Sequence, residues 1–120
     1  MTLGLWRDRF PRVTLTLPGV DGPLEVEFVV DTGFDGDLVL PGALLSRINA
    51  SPMGNQFVEL AGGFRERSYA YQVLVEWGGE PRMVEALTLD GNPLIGNALW
   101  VGEALQLENF QDGEVLFEPL

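Results

Sequence analysis

The chain has 120 residues, with 18 Asp or Glu against 7 Arg, no Lys, no His and no Cys, and a formal net charge of −11. That length holds one domain, read over residues 1–120, with a modest core, and 46% hydrophobic residues is an ordinary globular proportion. The acidity excludes nucleic acid and anionic membrane surfaces as expected partners, and the missing imidazole and thiol exclude the usual serine and cysteine hydrolases and structural zinc sites, so carboxylates must carry any acid–base chemistry.

The first residues, Met1 to Arg9, carry charges where a signal peptide needs its apolar run, and no later stretch has the length of a membrane span, so a cytoplasmic location is expected. Val13 to Leu17 and Leu24 to Val30 alternate apolar and polar residues about a link containing Pro18-Gly19 and Asp21-Gly22-Pro23, which predicts a β-hairpin. Leu24, Val26, Phe28 and Val30 then share one face, and Asp31 stands where that buried strand gives out. Leu38-Val39-Leu40 is a short apolar run. Pro41 suits a first helical position, with Leu44, Leu45 and Ile48 at helical spacing until Asn49-Ala50-Ser51-Pro52 ends the helix.

Phe57 to Leu60 and Phe64 to Trp77 flank Ala61-Gly62-Gly63, which predicts a second, protruding hairpin with a glycine tip; Tyr69, Tyr71 and Trp77 read as packing residues. Gly78-Gly79 turns the chain toward Arg82 to Leu89, and Asp90-Gly91-Asn92-Pro93 turns it again. Leu94-Ile95-Gly96 follows, before a short helical candidate at Asn97 to Trp100. Ala104 to Glu108 and Glu114 to Glu118 form a third hairpin around Gln111-Asp112-Gly113. The expected fold is all-β, a single Greek-key-like domain with one or two short helices.

Asp31-Thr32-Gly33 at a strand end is a way to present a catalytic aspartate, but aspartic-protease chemistry needs two carboxyls and the chain has one copy of the motif. If the motif is functional, the second must come from another copy of the chain. Asp31, Asp35 and Asp37 also invite a calcium reading, which the spacing refuses: Gly33 and Gly42 occupy positions where an EF-hand loop needs ligands. No metal and no organic cofactor is expected.

Val29-Val30-Asp31-Thr32-Gly33, then Leu38-Val39-Leu40, a glycine-tipped hairpin and Pro93-Leu94-Ile95-Gly96-Asn97-Ala98-Leu99 together resemble the retropepsin-like aspartic proteases. Asp31-Thr32-Gly33-Phe34 is similar to the run that marks the small prokaryotic single-domain members, and the likeness spans roughly residues 13–118. It implies an acid-protease barrel, a homodimer, and hydrolysis of extended peptide or unfolded protein. Residue by residue, it implies Asp31 as the catalytic aspartate, Thr32 as the brace for the partner's loop and Gly33 as the spacer between loops. Phe34, Asp35 and Gly36 would contact substrate, Ala61, Gly62 and Gly63 would be the tip of a closing flap, and Leu94, Ile95 and Gly96 would support the catalytic loop. Two departures stand out: Phe34 replaces the small residue usual in retroviral enzymes, and the carboxyl end continues into a hairpin. The alternative is a non-catalytic peptide-binding or dimerisation module on the same fold.

Overall fold

In the computed structural model, which describes residues 1–59 and 61–120 and only the backbone of 55–58, 66 and 67, ten strands join in one sheet. In chain order they are β1 (Thr2–Arg7), β2 (Phe10–Gly19), β3 (Gly22–Val30), β4 (Leu38–Leu40), β5 (Ala50–Glu59), β6 (Arg65–Trp77), β7 (Glu80–Thr88), β8 (Leu94–Ile95), β9 (Glu103–Leu107) and β10 (Gly113–Pro119). Their order across the sheet is β5-β6-β7-β4-β8-β3-β2-β1-β10-β9. Two short helical turns complete the chain, α1 (Gly42–Leu45) and a 3-10 turn at Asn97–Trp100.

The three expected hairpins form. β2 and β3 pair from Arg12↔Val29 to Gly19↔Gly22, and the alternation of β2 buries Val13, Leu15 and Leu17 while β3 buries Val26, Phe28 and Val30. β6 adds Val73, Val75 and Trp77, β10 adds Val115 and Phe117, and the sheet bends so that β2 lies across β6 over a common core. Phe117 is at its centre, fully buried, with the Trp77 ring edge-on at 4.9 Å and the Trp100 ring at 5.3 Å. The Trp77 indole N–H donates to Glu103 Oε2 at 2.7 Å, which ties β6 to the start of β9.

The structure departs from the sequence reading in five places. The expected barrel is not closed: among the described residues the ladder ends at β5 on one side and β9 on the other, because β5 pairs only with β6 and β9 only with β10. A strand at residues 2–7 was not expected; it alternates only weakly, and its place between β2 and β10 comes from non-local pairing. The helix after Pro41 stops at Leu45, since Ile48 bridges Gly19 while Val20 N and Asn49 N bond Arg47 O and Pro18 O across the hairpin end. β5 begins at Ala50, well before Phe57, and Leu60 lies outside the described residues. Of the three aromatics read as packing, Trp77 is buried and Tyr71 half-buried, but Tyr69 faces outward at 56% exposure. Among the described residues, no helix is long and apolar enough to cross a membrane.

Removing the ring at the centre of the core tests this packing. Phe117→Ala is expected to lower unfolding free energy by about 3–5 kcal/mol in urea titration, through lost burial and the cavity left between the two indoles.

Candidate active site

β3 reaches the site as three successive buried valine and phenylalanine positions, Phe28, Val29 and Val30, and the ladder continues one step further because Asp31 N donates to Ile95 O at 2.9 Å. β8 is the reason. Its two residues slot between β3, which they parallel at Val29↔Leu94 and Val30↔Ile95, and β4, which they oppose at Leu38↔Ile95 and Val39↔Leu94. The segment from Asp31 to Asp37 must therefore leave one neighbour of β8 and return as the other, arching over its end.

That arch is fastened along its length. Thr32 O accepts the Asn97 side-chain amide at 2.8 Å, Phe34 O accepts Asn97 N at 2.8 Å, Gly36 O accepts Ala98 N at 3.1 Å and Asp37 O accepts Gly96 N at 2.8 Å. The Asp37 carboxylate is engaged as well, with Oδ2 accepting Glu85 N at 3.0 Å from β7. A Cβ on Gly96 would lie 2.2 Å from Gly36 O and 2.5 Å from the Phe34 ring, so the approach is open only to glycine. The Phe34 ring covers Gly36 and Gly96 and packs on a small second cluster of Val39, Ala70 and Leu87.

Asp31 itself is half-exposed. Oδ1 accepts Gly33 N at 2.9 Å, Asp31 O accepts Phe34 N at 3.2 Å, and among the described residues no hydrogen bond reaches Oδ2. Gly33 serves this geometry, since even a Cβ there would stand 3.2 Å from Oδ1. The carboxylate is thus held through one oxygen, while the other has no partner among the described residues. Beside it is a cleft of about 340 Å³ of mixed lining, in which Phe10, Val29, Val30 and Leu94 alternate with the polar Asp31, Thr32 and Asn92.

The arch therefore brings together Asp31, Thr32, Gly33, Phe34, Asp35 and Gly36 with Leu94, Ile95 and Gly96. Thr32 and Asp35 are exposed, and Gly36 is half-buried beneath the Phe34 ring. Ala61, Gly62 and Gly63 form the exposed turn joining β5 to β6, with φ of +87° and +81° at the two glycines. Among the described residues they make no hydrogen bond to the arch. The sequence assigns no part in the arch or cleft to Asn97, Asp37 or Phe10, although Asn97 lies in the matched run and Asp37 enters the calcium reading. An amide directly after the glycine of a tight strand end is a signal for the first, but Phe10, which pairs with Arg7 of β1 just beyond the end of the β2–β3 ladder at Arg12↔Val29, reaches the cleft through non-local pairing. Among the described residues, no group of three or more Asp or Glu comes together as a metal site would require.

No protein-family model and no curated protein matches the chain.

Gly96→Ala is expected to cost about 1–3 kcal/mol of stability by overpacking against the Gly36 carbonyl. Gly42→Ala, whose Cβ would meet Thr88 Cγ2 at an ordinary 3.6 Å, is the control and is expected to be near neutral. Denaturant melts of both variants, with backbone NMR shifts for residues 31–37, separate a displaced arch from general loosening.

Proposed function

We propose that this chain is one half of an aspartic endopeptidase, in which the Asp31 carboxyls of two copies meet on a two-fold axis and hydrolyse an extended peptide. The observation that carries the reading is the Asp31 carboxylate, fixed by the Gly33 N–H on Oδ1 with Oδ2 unengaged among the described residues, on an arch fastened from Thr32 to Asp37 and beside a cleft lined in part by Phe10, Val29 and Leu94. The order of sequence elements supports it, since an Asp-Thr-Gly-Phe run, a glycine-tipped hairpin and a Leu-Ile-Gly element resemble the retropepsin-like proteases.

Two carboxyls about 3 Å apart cannot both ionise, so the pair holds one proton between them. The ionised member takes a proton from a water whose oxygen attacks the scissile carbonyl carbon, while the protonated member gives its proton to the carbonyl oxygen. Collapse of the resulting diol breaks the C–N bond, and the amine leaves with a proton from the pair. The chain's own contributions are the held orientation of Asp31, the apolar wall of Phe10, Val29 and Leu94 for a side chain beside the scissile bond, and the hairpin ending in Ala61-Gly62-Gly63 as a cover that excludes water. No metal or cofactor enters any of these steps.

Purified protein incubated with an unfolded protein or a peptide library is expected to cut it, and Asp31→Asn is expected to reduce cleavage by about 10³-fold or more. Mixing carries the sharper test. If each site needs Asp31 from both copies, an equal mixture of wild type and Asp31→Asn that has exchanged subunits retains about one quarter of the all-wild-type activity. Independent sites would retain about one half. Peptide binding without cleavage, unchanged in Asp31→Asn, would instead mark a non-catalytic binding module.

A further inference from the structure

Ser68 is the one buried polar residue among the described residues, at 1% exposure. Its hydroxyl is fully used: it donates to Thr88 O at 2.9 Å and accepts Thr88 N at 2.9 Å, and Thr88 Oγ1 donates in turn to Tyr69 O at 3.1 Å. These bonds stand where two strands part. The β6–β7 ladder ends at Ala70↔Leu87, and beyond it β6 pairs with β5 alone, from Tyr69↔Asn55 to Arg65↔Glu59. A side-chain hydroxyl thus replaces the backbone pairing that the ladder has just lost.

The opposite strand is irregular at the same level. β5 carries a register shift between Pro52 and Gly54, and Gly54, which faces Ala70, has φ of +110° with open space around it. A bulge with a left-handed glycine is a place where a strand bends. A two-stranded ribbon has little stability of its own, so its bearing on the rest of the sheet is set by what fastens its root. The same root touches the arch, because Ala70 belongs to the small cluster on which Phe34 packs.

From this we infer that the Ser68–Thr88 clasp is the pivot of the β5–β6 hairpin, and that Ser68 is a positioning residue which sets how the ribbon stands when a peptide binds. The part concerning the peptide rests on the protease reading above; the part concerning the hairpin does not.

Amide hydrogen exchange and peptide kinetics of Ser68→Ala, Ser68→Thr and Thr88→Val test it. In Ser68→Ala the amides of residues 55–59 and 65–69 are expected to exchange at least tenfold faster, with those of 13–17 and 73–77 unchanged. Thr88→Val, which loses only the bond to Tyr69 O, is expected to show the same pattern at smaller amplitude, and it serves if Ser68→Ala fails to fold. For a cleaved peptide, KM is expected to rise several-fold with little change in kcat, and Ser68→Thr, which keeps the hydroxyl, is expected to restore it. Wild-type protection of the ribbon in both Ser68→Ala and Thr88→Val, or faster exchange spread over the whole sheet, would overturn the pivot. Ribbon-limited exchange with unaltered KM in a cleaving enzyme would overturn the positioning role. A wild type that cuts nothing, combined with ribbon-limited exchange in the variants, would sink the protease reading and leave the pivot standing.

Discussion

At Gly96 the backbone passes so close to the Gly36 carbonyl that a single added carbon would overlap the oxygen, and the arch that carries Asp31 takes its form from that approach. Closeness here lets Gly96, Asn97 and Ala98 donate in succession to Asp37, Phe34 and Gly36. Because β8 has only two residues, it cannot hold β3 and β4 apart by ladder bonds alone, and the side-chain amide of Asn97 and the carboxylate of Asp37 complete the fastening. The outcome is a segment without regular secondary structure in which the carbonyls of Asp31, Thr32, Phe34, Gly36 and Asp37 nevertheless have partners, the condition under which a loop can hold a functional group still.

Three acids lie within that arch, and their surroundings give them different work. Asp37 is spent on the β7 backbone, Asp35 is exposed, and Asp31 alone combines a fixed oxygen, an oxygen without a partner among the described residues and a neighbouring cleft. Among the described residues no arginine forms an ion pair with them. The ion pairs among the described residues join Arg7 and Arg12 to Glu27; Arg7 and Glu27 are exposed, which keeps that pair's contribution to stability small, while the Arg12 side chain is largely covered. The fold therefore rests on its apolar alternation, and the large negative charge is carried outside it.

How much of this the sequence discloses depends on whether a feature is local. Period-two alternation in Val13 to Leu17 and Leu24 to Val30 announced the hairpin and placed Asp31 at its end, since each strand's pattern is set by its own burial. Strand β1 was hidden because Thr2 to Arg7 is paired between two strands distant in sequence, and its exposed Leu3 and Leu5 blur the alternation. Closure of the sheet is not legible for a related reason: the number of strands is a local feature, whereas the pairing of the two ends of a ladder is a long-range property. At the site, the motif residues could be read, but the partners of the arch could not, apart from Gly96, because Asn97 and Asp37 act through contacts with residues far along the chain.

Strand β4 is three residues long, and all three are buried. Leu38 and Leu40 belong to the main core with Phe28 and Phe117, while Val39 points the other way into the cluster beneath Phe34. So short a partition couples the two interiors mechanically. Volume changed on one side displaces a strand that is also the wall of the other, so a larger or smaller side chain at Ala70 or Leu87 is felt by Phe28 and Phe117 across the sheet.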